Sequence, residues 1–448
     1  MFLNHIQKTL NVELVGLPGN IPNLEEYQDK EFGAAFEVFL FMAERLFHLK
    51  DYREVFLFRH LVNFIFFWIG VLVFSAVIRD RYRDWFFPLI GSLMLFLHPR
   101  IFAESFYNSK DIILMVFFTF SMWSYIRVLK TGRLSYILLL AFISAITFNI
   151  RPIGILIPCL AFIILPTHFI IAPESPAGRN RILKNLIALP LFFLIFSWIT
   201  NPYLWIDPIG RAGAILVKFL NYDVSHTAGH LLFLGKFIPT SQIPWFYLPL
   251  WIGITTPIVY LVLSISGLLV TITKAFRNKS PVPGLPHHSL DVYVAGWLIV
   301  PAFTAILFGS TLYDGWRHFY FLWPAIVYFA ISGLQSIIAV LVKVRGTRNT
   351  QAGKWIVLLL AAIVLSENLY TMIRYHPHQY CYFNEIAPDP SKNFELDYWG
   401  LSYHDALEHL VTTCPSDTLS IRVLNLPGYL NAFLLKPADR KRVWFDYS

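Results

Sequence analysis

The sequence is short of charge. Only 14% of its 448 residues are Asp, Glu, Lys or Arg, where a soluble domain carries about a quarter, so a water-solvated surface over the whole chain is excluded. Cysteine is scarce as well. Three Cys cannot build a disulfide framework. Cys159 lies inside an apolar run and reads as a core thiol, while Cys381 and Cys414 pair only if the tail sits in an oxidising compartment. The first twenty residues lack the continuous apolar stretch of a cleavable signal peptide. No glycine-rich phosphate loop and no nucleophile elbow is present, which leaves ATP-driven transport without support. Internal repeats and low-complexity tracts are missing too. The net charge of +8 is spread between apolar runs and makes no single basic face, so nucleic acid is not an expected partner.

What the chain has is apolar and aromatic. Hydrophobic residues make up 56%, with 41 Phe, 22 Tyr and 13 Trp, and the mean hydropathy is +0.55. Long lipid-facing helices with rings at the interfaces have this composition. Runs of roughly 17–25 apolar residues mark bilayer spans. They are expected near 56–78, 85–97, 112–128, 135–150, 152–171, 183–200, 245–273, 292–308, 318–342 and 355–373. The second run is short and borrows from residues 94–100. The fourth and fifth are separated only by Asn149, Ile150, Arg151 and Pro152, a tight reversal.

Basic residues set the expected orientation. Arg79, Arg81 and Arg83, then Arg127, Lys130 and Arg133, then Arg179, Arg181 and Lys184 lie in alternate short loops. Lys274, Arg277 and Lys279, and then Lys343, Arg345, Arg348 and Lys354, continue the pattern. These loops are expected in the cytoplasm. The others, with acids, aromatics and proline, face outward. Ten spans put both ends outside, yet nothing in residues 1–50 would start translocation, so a further span is expected upstream of Met1.

Three regions follow: an outward loop at 1–54, a multi-span domain at 55–373, and a small α/β extracytoplasmic domain at 374–448. Within the first, residues 31–49 carry apolar side chains at helical spacing and read as an amphipathic helix on the membrane surface. Residues 201–244 form a loop long enough to carry function. In the tail, 402–412 reads as a helix capped by Ser402 with Asp405 three residues on, and 419–424 and 441–445 read as strands.

Two outward loops concentrate polar chemistry. The first runs HPRIFAESFYNSKD from His98 to Asp111, with Arg100, Glu104, Asn108 and Lys110 inside it. Ionisable residues at membrane depth are costly and are usually paired or functional. Two readings stand for Asp111: a cap on the following helix, or a member of a site. The second loop is YDGWRHFY, from Tyr313 to Tyr320. Arg317 suits a phosphate, Trp316 offers a flat apolar face, and His318 opens the next span; an aromatic belt with a snorkelling arginine is the alternative. Arg151, between two helix ends, suits a lipid phosphate or a pair with an acid such as Glu104. His226 and His230 lack the acid of a zinc helix, so no metal ligand set is assigned. Divalent-metal dependence stays open, and no organic cofactor is expected. Asn278-Lys279-Ser280 matches a glycosylation sequon, but it lies on the cytoplasmic side and precedes Pro281.

These segments, with YHPHQYCYFNE (375–385), FELDYWGLSYHDALEHL (394–410) and EFGAAFE (31–37), resemble bacterial membrane glycosyltransferases of the GT-C class. That class is related to dolichyl-phosphate-mannose protein mannosyltransferases and to the aminoarabinose lipid A transferase. The resemblance runs over nearly the whole chain. It implies an all-α polytopic enzyme of the bacterial inner membrane, with its active face outward. A sugar would pass with inversion from a polyprenyl-phosphate donor to an extracytoplasmic acceptor. Glu104 and Asp111 match acids of the second outward loop and would serve the catalytic site. Arg100, Asn108, Lys110, Arg151, Trp316, Arg317 and His318 would bind substrate. In relatives the base is an acid just after a first span. Glu25, Glu26, Asp29 and Glu31 do not match that motif, so the base is expected upstream of Met1 and the chain as written is expected to be truncated or inactive. The rival reading is a transporter or flippase of lipid-linked sugars, which would more often show paired repeats or matching broken helices; the sequence shows neither. A membrane scaffold without catalysis leaves the outward polar clusters unexplained.

Overall fold

The computed structural model describes residues 24–446 apart from 28, 172–175, 221–228, 278–285, 345–350 and 424. His226 and the Asn278 sequon lie outside these residues. Apolar runs become helices because a backbone that leaves water must satisfy its own hydrogen bonds. The outward segment forms α1 (Ala35–Leu46). Then come α2 (Tyr52–Tyr82), α3 (Phe86–Phe96), α4 (Pro99–Tyr107), α5 (Asp111–Thr131) and α6 (Leu134–Ile150). They are followed by α7 (Leu156–Ile171), α8 (Pro176–Thr200) and α9 (Pro208–Leu220). The hairpin β1 (His230–Phe233) and β2 (Lys236–Pro239) pairs antiparallel, His230 opposite Pro239. Beyond it lie α10 (Tyr247–Thr255), α11 (Ile258–Arg277), α12 (Pro286–Leu307), α13 (Trp323–Val344) and α14 (Gln351–Arg374).

The chain is a mostly helical, polytopic membrane protein. Among the described residues five helices are long and apolar enough to cross a bilayer, six if the bent pair α3–α4 is one span, and four more apolar helices are shorter. On α2 the exposed Leu57, Leu61, Ile65, Trp68 and Leu72 recur at helical spacing, a stripe suited to acyl chains. The opposite side buries Phe67, Phe74 and Ile78 in a core that also takes in Trp297 and Trp323. Helices α11 and α13 cross at close range. A methyl group added to Gly267 would meet the Phe329 carbonyl oxygen at 1.9 Å and the Gly333 nitrogen at 2.6 Å, the small-residue contact by which membrane helices approach.

Several expectations need correction. The run at 245–273 is two helices, because Pro257 lacks an amide hydrogen and holds Thr256 extended (φ −101°, ψ 137°). The run at 85–97 continues through a 68° bend into α4, where His98 and Pro99 restart the helix. The loop at 201–244 holds α9 and the hairpin. Helix α15 (Ser402–Thr413) forms where expected, but Ser402 does not cap it. Asp397 does, accepting from the Leu401 and Ser402 amides at 2.9 and 3.0 Å. The tail strands are short and parallel, β3 (Leu419–Ile421) beside β4 (Val443–Phe445), and with α15 they enclose a separate small core of Leu407, Val411, Ala432 and Leu435.

Candidate functional site

The bend after α3 sets up the site. His98 is fully buried against Trp316 and Trp323, and Pro99 takes the first helical position, where its missing amide hydrogen costs nothing. Helix α4 then carries Glu104 inward. Its carboxylate accepts from the Tyr320 hydroxyl at 2.5 Å and from Asn108 Nδ2 at 2.7 Å. Asn108 is the hub of the turn. Its Oδ1 accepts from the Asp111 amide at 2.8 Å and from the Lys110 amide at 3.3 Å, so Asn108 caps α5. Asp111, the first residue of α5, does not.

The Asp111 carboxylate is instead fully buried between two guanidinium groups. Arg151 Nη2 lies 2.6 Å from Oδ1 and Arg317 Nη1 lies 3.1 Å from Oδ2. Arg151 stands in the extended link between α6 and the turn Pro152–Ile155. Arg317 opens the turn Arg317–Leu322 that leads into α13. Its Nε is 2.9 Å from Asp314 Oδ2, and its plane is surrounded by the rings of Tyr313, Tyr398 and Trp399 at 4.9–5.3 Å. A snorkelling arginine would reach for water; this one is buried and paired with two acids. Burial pushes the Asp314 carboxyl up to about 6, against the pull of Arg317 and Arg100.

A cavity of about 850 Å³ lies beside this cluster. Lys110, Arg151, Arg317 and His318 form its polar end, and Leu156 (α7), Leu216 and Phe219 (α9), Pro301 (α12) and Phe308 just after α12 form an apolar wall. Lys110 reaches into the cavity from a crowded wall. Desolvation there, with Arg151 alongside, lowers its ammonium to about 8. Residues 29–37 close one side. Gly33 seats this segment on the end of α6, where a Cβ would meet the Asn149 carbonyl oxygen at 1.9 Å. The Phe32 ring lies under both Lys110 and Lys218, at 5.4 and 5.7 Å.

Of the residues singled out in the sequence, Lys110, Arg151, Arg317 and His318 meet at this cavity, and Asn108 and Asp111 stand directly behind them. Three are placed differently from expectation. Glu104 does not line the cavity: both its oxygens are occupied by Tyr320 and Asn108, so it braces the turn. Arg100 turns away, donating from Nε to the Tyr382 carbonyl at 2.9 Å and lying over the Phe383 ring at 4.6 Å. Trp316 is buried, its Nε1 donating to Thr255 Oγ1 at 2.9 Å. Two acids stand on the cavity wall: Asp29, set aside in the sequence because it matches no motif, and Glu37, which was not singled out there; nor were the rings of Tyr398 and Trp399. The helical spacing of 31–49 and the EFGAAFE segment that ends at Glu37 were the available signals for it. Among the described residues no cluster of three His, Cys, Asp or Glu is arranged to hold a metal ion.

No family profile matches this sequence, and no curated protein matches it. Solved structures do. The oligosaccharyltransferase of Archaeoglobus fulgidus in the apo form matches over 92% of this chain and 56% of its own, with a TM-score of 0.50 and 12% identity. The same figures hold for the archaeal oligosaccharyltransferase AglB from Archaeoglobus fulgidus in complex with an inhibitory peptide and a dolichol-phosphate. This chain thus spans a little over half the length of those proteins. The likeness is one of fold alone, shared with those archaeal oligosaccharyltransferases.

Proposed function

We propose that this protein is a glycosyltransferase that takes a sugar from a polyprenyl-phosphate donor and transfers it, with inversion, to an acceptor on the outer side of a bacterial inner membrane. The observation that carries this reading is the cavity. One end gathers Lys110, Arg151, Arg317 and His318, and an adjoining wall is apolar. A donor of this kind has the same two halves. Its prenyl chain would lie along Leu156, Leu216, Phe219 and Phe308, and its phosphate would face the cations. As the glycosidic bond to phosphate breaks, negative charge grows on the leaving oxygen, and preorganised cations lower that barrier. Asp111 and Asp314 fix where the guanidinium groups point, so little reorganisation is needed during reaction. The dolichol-phosphate held by the archaeal enzyme of like fold supports a lipid-phosphate donor here.

The tail from residue 374 onward takes part through Tyr398 and Trp399, which pack on Arg317 without lining the cavity. The residues at 1–54 contribute the wall at Asp29, Phe32 and Glu37. We assign the cavity side of the molecule to the extracytoplasmic face, following the alternation of basic loops.

The test is a transfer assay. Protein in lipid nanodiscs receives radiolabelled polyprenyl-phosphate hexoses and a membrane extract as acceptor source. New glycoside forms with the natural sequence and falls at least about a hundredfold in Arg151→Ala and Arg317→Ala, the scale of losing one oxyanion donor. Movement of the lipid-linked sugar across vesicles without new glycoside would replace this reading with a transporter.

A further inference from the structure

Cations alone do not complete a glycosyl transfer. The acceptor hydroxyl must lose its proton as it attacks, and a positioned carboxylate is the usual base. The two acids expected for catalysis from the sequence do not meet this need. Asp111 and Glu104 are both buried, and neither lines the cavity. The cavity wall offers two others among the described residues, Asp29 and Glu37. Asp29 sits in a loop, 3.5 Å from Lys218 Nζ. Glu37 lies in the first turn of α1 and is held at both oxygens. Ser109 Oγ donates to Oε1 at 2.5 Å, and Arg59 Nη1 donates to Oε2 at 2.8 Å. Each oxygen thus keeps accepting capacity, and the side chain stays 46% exposed.

Position matters as much as fixation. Ser109 is the chain neighbour of Lys110, so the segment that anchors Glu37 also delivers a cation to the cavity. The Lys110 ammonium is within electrostatic reach of Glu37, Asp29, Arg151 and Asp111. Cations and carboxylates therefore share one cavity wall. A site on a helix, locked by neighbours, holds geometry better than one on a loop.

Resting on the transferase reading above, we infer that Glu37 is the general base that accepts the proton of the acceptor hydroxyl. The acceptor O–H bond breaks and its proton passes to a Glu37 carboxylate oxygen. The acceptor oxygen forms the new bond to the anomeric carbon. The old bond from that carbon to the phosphate oxygen breaks, and its electron pair leaves with the phosphate, which stays on the cationic side. Arg59 and Ser109 are positioning residues: they hold the carboxylate without touching the sugar.

The experiment compares the natural sequence with Glu37→Gln, Glu37→Ala, Glu37→Asp and Asp29→Asn in nanodiscs. It measures turnover of radiolabelled polyprenyl-phosphate hexoses and, separately, binding of a fluorescent polyprenyl monophosphate. Glu37→Gln should lose about 10²–10⁴-fold in turnover while binding the monophosphate within about twofold of the natural sequence. Glu37→Asp should recover part of the loss, and added formate should raise turnover in Glu37→Ala but not in the natural sequence, a rescue that a purely structural role would not give. Asp29→Asn, at the other wall carboxylate, should lose less turnover than Glu37→Gln. The inference is overturned if Glu37→Gln turns over at the natural rate, if its binding falls in step with its turnover, or if the natural sequence binds the monophosphate but turns over no donor. Failure of the natural sequence to bind the monophosphate at all would instead remove the transferase reading.

Discussion

Replacing Asp111 by Asn tests the electrostatics of the site most sharply. The buried carboxylate holds Arg151 at 2.6 Å and Arg317 at 3.1 Å. Arg317 would keep Asp314 at 2.9 Å and its three rings. Arg151 would lose the only ion-pair partner it has among the described residues. Removing one member of a buried pair strands the other and costs about 3–5 kcal/mol. Because Arg317 stays paired, the lower end of that range applies, and the apparent Tm in detergent should fall by about 3 °C. A phosphate can replace the missing charge from the cavity side. Polyprenyl monophosphate at a hundred times its Kd stabilises by about 2.7 kcal/mol, and it should raise Tm by more in Asp111→Asn than in the natural sequence, because only there does it relieve the stranded Arg151. A variant that melts within about a degree of the natural sequence would refute the reasoning, as would equal stabilisation of both by the lipid.

Further outcomes follow from individual contacts. Tyr320→Phe removes the 2.5 Å bond to Glu104 and leaves a buried acceptor short of a partner, so stability should drop by about 1–3 kcal/mol, measured by thermal denaturation; Glu104→Gln should be milder, since it keeps an acceptor for Tyr320. Lys110 is lowered from 10.5 to about 8, so phosphate-lipid affinity should decline as pH rises through about 8, and Lys110→Gln should flatten that limb in a binding titration. The same shift has an opposite sign for folding: between pH 8 and 10.5 the unfolded chain binds the extra proton, so this group makes the ligand-free protein more stable as pH rises through that window. Asp314, raised from 3.8 to about 6, does the reverse; here the folded state holds the extra proton, and stability falls between pH 3.8 and 6, a slope that Asp314→Asn should remove. Gly267→Leu would push a side chain into the Phe329 carbonyl, from which a Cβ is already only 1.9 Å away, and should separate α11 from α13, seen as lost monodisperse protein on size-exclusion chromatography.

Much of the helix framework was legible in the sequence because apolar runs in lipid have little choice of structure. The break at Thr256–Pro257 was readable in principle, but hydropathy alone merged the two helices. Which polar side chains meet was far less legible. Asp111 and Arg317 are 206 positions apart and join only through the bend at His98–Pro99 and the turn before α13. Local pattern offered a helix cap for Asp111, and Asn108 took that place. Arg100 and Trp316 carry the right chemistry for substrate but point toward Tyr382 and Thr255, and direction is a property of packing that a motif does not record. Glu37 looked like the solvated face of a surface helix. It reaches the cavity only because Gly33 lets the preceding segment settle on Asn149.

The central claim is that the cations at one end of the cavity receive a lipid phosphate. A cryo-electron microscopy map of the protein in nanodiscs with bound polyprenyl monophosphate tests it most directly. The phosphate is expected within hydrogen-bond reach of Arg151 and Arg317, beside Lys110, with the prenyl chain along Leu216, Phe219 and Phe308. A phosphate bound elsewhere, with the Arg151–Asp111–Arg317 cluster untouched and the cavity filled by acyl chain alone, would contradict it.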